Sequence, residues 1–294
     1  MLSRSSILLA LVASTSALNL WPRQTGSCPA VWTDVAKELS STFSTCGRAA
    51  HGAIRAPFHD CINNGCDGSL ILTDECSRSE NGGLSFICGV LLDLTNKYKV
   101  SAADMIQFAA AYAISACPLG PKVRALVGRT DSSVAAPLNS MPSSRDSVDS
   151  ILVTFKARGF SSDDVVALLG THSVAIQVVT DPNKAGKPLD STPAVYDTKF
   201  YTETQAGTAP SSLDSDLRMS NDTQVCSIRS SLNFAVANVC RLLKLGRTLA
   251  TAKIFGLPNS LMHGIAFLSS EMRSTASRIA RVLSQLTLQR SGGQ

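Results

Sequence analysis

The sequence predicts an all-α fold, and three observations carry that prediction. Apolar residues recur at helical spacing in seven segments: 29–43, 47–60, 84–98, 101–117, 145–159, 161–175 and 196–205. Two of these open on a Ser followed three residues later by Asp, a carboxylate form of the capping box: Ser101 with Asp104, and Ser161 with Asp164. Strand-period alternation is rare and short, whereas 63–69, 120–144 and 180–195 are rich in Gly, Pro, Asp and Asn and read as loops.

Each helical segment has its own reason. Pro29 suits the first turn of 29–43. In 47–60, Arg55 and His59 stand four apart and share a face, while Asp60 points about a hundred degrees away. Segment 101–117 is Ala-rich and apolar nearly all round, which predicts a central buried helix. Gly159 stops 145–159, and 161–175 carries His172 with apolar residues one turn before it. No internal repeat or low-complexity linker interrupts the pattern.

The chain has 294 residues, 44% hydrophobic and 17% charged, enough for one large domain or two small ones. Residues 1–17 are expected to be a secretory signal peptide. Arg4 is the positive start, Ile7 to Ala13 the apolar run, and Thr15-Ser16-Ala17 the cleavage site. That run is too short to span a membrane. Residues 18–27 follow as an N-terminal extension of propeptide type. The expected location is therefore extracellular, with the protein secreted as a monomer and with neither membrane nor nucleic acid as a partner. Export favours disulfides among the nine cysteines, and the odd count leaves at least one over.

Charge is uneven. Net charge is +5, yet residues 223–294 hold nine Lys and Arg against one acid, Glu271. No basic motif of a nucleic-acid module accompanies that excess.

The segment RAPFHDCINNGCDGS, 55–69, concentrates chemistry. Asp60, Asp67 and Ser69 offer oxygens, and Gly65 and Gly68 let the backbone turn a carbonyl inward, which suits Ca²⁺. Zinc on His59, Cys61 and Cys66 is the rival, but no second Cys/His pair lies nearby. His172 ends an apolar helix, as an axial ligand of haem iron does. Beyond it, Asp190, Thr192 and Asp197 again suit calcium; a run of Asx and ST turns fits that spacing equally well. His51 and His263 have no such context and read as ordinary packing.

RAPFHDC-x4-CDGS, ENGGL and LLGTHSVA…DSTPAVYD together resemble the secreted haem peroxidases of the plant–fungal superfamily. The pattern is nearest the fungal secreted class, and the resemblance runs from about Cys28 to Asp222. It implies the haem peroxidase fold, with about ten helices in two lobes and one haem b between distal and proximal halves over residues 28–222. It also implies two Ca²⁺, hydrogen peroxide as oxidant and small phenolic donors. His172 is then the iron ligand, with Asp222 accepting the proton of its other ring nitrogen. His59 is the distal acid–base, Arg55 polarises the peroxide, and Phe58 packs against the haem. Asn81 orients His59, with Glu75 behind it. One calcium takes Asp60, Gly65, Asp67 and Ser69; the other takes Ser173, Asp190, Thr192, Val195 by its carbonyl, and Asp197. Cys61–Cys66 and Cys46–Cys117 match family disulfides, and Cys76–Cys88 is read as a third.

The sequence also departs from that family. The surface Trp of lignin-type members is replaced by Ala167, and the only tryptophans are Trp21 and Trp32. The Mn²⁺-binding positions read Arg48, Gly52 and Val178, with no carboxylate. The expectation is a generic peroxidase that oxidises small donors at the haem edge. The alternatives are a non-enzymatic haem- or calcium-binding homologue and an intracellular scavenging peroxidase. Tyr196 and Tyr201 read as packing rather than as electron relays. Residues 223–294 do not follow the family, and we read them as the product of a shifted frame or mis-spliced gene. Detecting the tryptic peptide SSLNFAVANVCR in the secreted protein would contradict that reading. Asn221-Asp222-Thr223 forms a glycosylation sequon, in conflict with a buried Asp222.

Overall fold

The computed structural model describes residues 28–63, 65–222 and 225. The expected signal peptide, the 18–27 extension and nearly all of 223–294, with Cys226, Cys240 and His263, lie outside these.

Nine α-helices are present among the described residues. Helix α1, Val31–Thr42, buries Trp32, Val35 and Leu39 on one stripe. Helix α2, Arg48–Cys61, carries the opening motif and tolerates Pro57 three turns in. The one-turn α3, Ser69–Leu72, follows Gly68, whose φ of +77° is a left-handed conformation. A β-carbon at Gly68 would also stand 2.6 Å from the Ala103 nitrogen, so only glycine fits there. Helix α4 is Ser85–Tyr98 and α5 is Ala102–Ala116.

The prediction for α5 holds: most of its residues are buried, and its alanines let α2 approach closely. Its start differs from expectation in one respect. Ser101 Oγ accepts from Asp104 N at 3.2 Å, but the Asp104 carboxylate does not turn back. It accepts from Gly128 N at 2.6 Å and pairs with Arg129 at 2.9 Å, because the buried guanidinium needs a counter-charge. Asp131 caps the helix instead, accepting from Ala102 N and Ala103 N. Trp32 packs on Phe108 of α5 with ring centroids 4.7 Å apart.

Helix α6, Val148–Ala157, and α7, Ser162–Leu169, form the next layer. The Ser161–Asp164 capping box at α7 is complete. The predicted helix 161–175 is not α-helical throughout: α7 ends at Leu169 and Gly170–Val174 tightens into a 3₁₀ turn carrying His172. Helix α8 is Lys199–Ala206 and α9 is Asp214–Asn221. No strand occurs among the described residues beyond one isolated bridge, Ile176 with Pro188. None of the described helices is long and apolar enough to cross a membrane.

All three expected disulfides are present: Cys46–Cys117, Cys61–Cys66 and Cys76–Cys88. The first joins the approach to α2 to the end of α5 across 71 residues. A closure of that length contributes about 4 kcal/mol by restricting the unfolded chain. Cys28 is exposed with a free thiol.

Candidate active site

His59 and His172, with His51, line one cavity of about 730 Å³, within the size range of cofactor pockets. Arg55, Phe58 and His59 of α2 line one side, and His172, Leu169 and Met219 line the other. The helical period explains the first group: residues 55, 58/59 and 62 fall on one face, and Ile62 also lines the cavity. Phe58 is held edge-on to His59 and stacked on Phe155, with centroids 5.3 and 6.0 Å away.

His59 is buried, and its Nδ1 meets Asn81 Oδ1 at 2.5 Å. An amide oxygen only accepts, so Nδ1 carries the proton and Nε2 is left as the free base. Burial first, then the charge of Arg55, push this imidazole down to about 3. His59 is therefore neutral across the working range. Burial pushes the Arg55 guanidinium down to about 10, which leaves it charged. Its Nη1 donates to the Gly82 carbonyl at 2.8 Å.

Glu75 stands behind Asn81, but through its main chain. Asn81 Nδ2 donates to the Glu75 backbone oxygen at 2.7 Å. The Glu75 carboxylate instead accepts from Ala136 N at 2.8 Å, anchoring the neighbouring loop.

On the other side the expected partner of His172 is corrected. His172 Nδ1 meets Asp216 Oδ2 at 3.1 Å, and Asp216 is buried in the first turn of α9. Asp222 lies just past the end of that helix, where its Oδ1 accepts from Val225 N at 3.0 Å. Six residues turn a helix through about 240°, so the two acids do not share a face. With Asp216 in this place, Asn221 is free to be exposed, which removes the sequon conflict. Phe200 stands edge-on to the His172 ring at 5.2 Å.

The cavity fits haem. Its walls are largely apolar, and His172, held at Nδ1, offers Nε2 as a ligand. His51, read from sequence as packing, lines the same cavity, as do Arg48, Gly52 and Val178. Among the lining residues the carboxylates are Glu80, Asp146 and Asp216. Trp32 is buried in the core, and Trp21 lies outside the described residues. Tyr196 is buried and Tyr201 donates to the Val166 carbonyl at 2.6 Å, so both serve packing.

The two calcium sets are each gathered in space, and each includes the residue directly after a histidine. Asp60 accepts from Gly68 N and Leu70 N at 3.2 and 3.3 Å, while burial pushes its carboxyl up to about 7. A β-carbon at Gly65 would stand 2.5 Å from the Asp60 carbonyl and 3.1 Å from Asp67 Oδ1. Asp67 Oδ1 accepts from Ser69 N. This is a tight nest of oxygens with two carboxylates. In the second set, Asp190 Oδ2 is buried with no hydrogen-bond partner, the kind of orphan that a cation satisfies. Thr192 Oγ1 donates to Asp197 Oδ2 at 2.8 Å, and Ser173 Oγ accepts from Asp197 N at 3.3 Å. Val195 lies in the same turn, its N–H bonded to the Thr192 carbonyl. The residues fit Ca²⁺ in both places. Zinc does not fit the first, since Cys61 and Cys66 are joined in a disulfide and offer no thiolate.

Calcium is expected to stabilise the fold. At a hundredfold excess over Kd each site would add about 2.7 kcal/mol. A thermal melt should rise with added Ca²⁺ and fall with a chelator, and Asp190→Ala should remove one site's share of the rise.

Comparison with known proteins agrees with this geometry. The profile of the family described as Peroxidase matches residues 35–233. "Manganese peroxidase 3" of Phlebia radiata is 35% identical over 208 residues, covering 61% of this chain and 58% of the relative. "Low-redox potential peroxidase" of Taiwanofungus camphoratus is 38% identical over 175 residues, 59% of this chain and 53% of the relative. "Peroxidase" of Coprinopsis cinerea is 35% identical over 233 residues, 69% of this chain and 64% of the relative. The chain thus spans between about half and two thirds of the length of these relatives. On the family match, which covers well over half its length, the chain belongs to the peroxidase family.

Proposed function

We propose that this protein is a secreted haem peroxidase that reduces hydrogen peroxide and oxidises small phenolic donors one electron at a time. The observation that carries the reading is the single cavity faced by two differently supported histidines, one tied to an amide and one to a carboxylate.

His172 Nε2 would hold the iron, with the Asp216 carboxylate at Nδ1 raising the basicity of the ring. Bound haem supplies the electron transfer that cleaves the O–O bond and takes two electrons back from donors. The protein supplies proton movement and charge. His59 Nε2, neutral and unprotonated, accepts a proton from hydrogen peroxide. It then returns that proton to the departing oxygen, which leaves as water. Arg55 donates to the negative charge that develops on that oxygen, a fixed electrostatic contribution made without reorganisation. Each peroxide is balanced by two donor molecules, each losing one electron and one proton, and both peroxide oxygens end as water.

The donor assignment follows from what the cavity lacks. Arg48, Gly52 and Val178 line it where Mn²⁺-oxidising enzymes resembling this one place acids, and Ala167 stands in place of a surface Trp. The relative named as a low-redox potential peroxidase accords with this. The haem- and calcium-loaded protein should oxidise a small phenol in the presence of hydrogen peroxide, at a rate unaffected by added Mn²⁺. Mn²⁺-dependent turnover, or a haem complex with no peroxide-driven oxidation, would overturn the reading.

A further inference from the structure

Asn81 and Gly82 are consecutive, and each holds one of the two distal side chains. Asn81 Oδ1 accepts from His59 and the Gly82 carbonyl accepts from Arg55, at 2.5 and 2.8 Å. The inner side of this dipeptide is fixed locally: Asn81 N donates to Arg78 O and Gly82 N donates to Ser79 O, at 3.0 and 3.1 Å. Its outer side is fixed from the opposite half of the molecule. The chain that leaves His172 passes through Val178 and Val179, which lie on Gly82 and Gly83.

The fit there is close. A β-carbon at Gly82 would stand 2.3 Å from Val179 Cγ1, and one at Gly83 would stand 3.1 Å from Val178 Cγ2. Gly83 also has a φ of +88°, a left-handed conformation. Gly82 itself has φ −51° and ψ 135°, which any residue adopts. Its requirement is therefore space, not backbone freedom. Among the described residues the Gly82 carbonyl is the one hydrogen-bond acceptor of Arg55. The half-buried Arg55 guanidinium follows its acceptor, because leaving a partly desolvated charge unpaired is costly.

We propose that Gly82 is a positioning residue for Arg55, and that Val179, delivered by the segment following His172, sets where the Gly82 carbonyl sits. The proximal histidine's own loop thus braces the distal arginine. This inference rests on the role assigned to Arg55 above.

The test uses the haem-loaded protein and three readouts: the second-order rate of reaction with peroxide, the KM and kcat for a small phenol, and the melting temperature. Gly82→Ala should lower the peroxide rate about 10- to 100-fold, the scale of a misplaced catalytic group. The phenol KM should stay within about twofold, since Arg55 acts on peroxide rather than on the donor. Adding Val179→Ala removes Cγ1, the severe contact, and leaves the new methyl 3.5 Å from Val179 Cβ and 3.2 Å from the Ser79 carbonyl, a close approach that a shift of a few tenths of an ångström relieves. Val179 is 47% exposed, so its truncation costs little core. The double variant should recover the peroxide rate to within about threefold of the parent, whereas a merely structural seam would make it slower and less stable still. In an Arg55→Ala background, Gly82→Ala should have no further effect on the peroxide rate. The inference is overturned if Gly82→Ala alone leaves the peroxide rate unchanged, if the double variant is no better, or if the loss persists undiminished without Arg55. If the parent and Arg55→Ala react equally fast with peroxide, the role of Arg55 itself fails, and the inference with it.

Discussion

Replacing His59 by leucine is expected to lower the second-order rate with hydrogen peroxide by about 100- to 10,000-fold while the haem stays bound. The size follows from the general worth of a positioned acid–base group. The hydrogen bonding leaves one nitrogen able to accept the peroxide proton. Nδ1 is committed to Asn81 Oδ1, so the accepting nitrogen is Nε2, and burial keeps the ring neutral. Haem retention is the necessary control, because His59 lies across the cavity from His172 and is not the expected ligand. Stopped-flow mixing with peroxide, with the Soret band recorded beforehand, separates the two effects. A variant that kept its haem and reacted at the parent rate would remove His59 from the mechanism. Asn81→Ala should show a smaller loss of the same kind, since it frees the imidazole to rotate without deleting it.

The second large effect concerns the proximal carboxylate. Asp216→Asn should cost about 10- to 100-fold in activity, the usual penalty for losing the hydrogen-bonded partner of a ligating histidine. Asp222→Asn should remain within about twofold of the parent, as a change at a helix end usually does. The distinction is geometric: Asp216 is buried and 3.1 Å from His172 Nδ1, whereas Asp222 accepts from the Val225 main chain. The reverse pattern in the peroxide rate and in the rate of haem loss would restore Asp222 to the role that the family resemblance implies.

The contrast between these two acids illustrates what the sequence makes legible. Arg55 and His59 were legible as one helix face from their spacing of four, whereas Asn81 was named only by the family resemblance. The two loop sets around Asp60 and Asp190 drew notice because oxygens recur there at short intervals, and the structure gathers each set in space. The proximal acid was not legible, because its identity depends on how α9 docks, which no local pattern encodes. Helix α9 was itself missed: DSDLRMSN offers only Leu217 and Met219 as apolar positions, and it forms by packing rather than by pattern. The 3₁₀ turn at Gly170–Val174 was hidden for a similar reason, since its apolar spacing continues that of α7. Glu75 was found in the right place with the wrong atom, because main-chain acceptors carry no sequence signal. Gly82 belongs to the same class: ENGGL marked it, but only the approach of Val179 gives it a task.

The most direct test of the account is titration of the haem-free protein with haemin, followed in the Soret region, for the parent and for His172→Ala. The parent should bind one haem per chain, and the variant should lose the histidine-ligated spectrum. Binding of equal strength with an identical spectrum in both would contradict the account, because the cavity would then hold its cofactor without the histidine around which the proximal half is built.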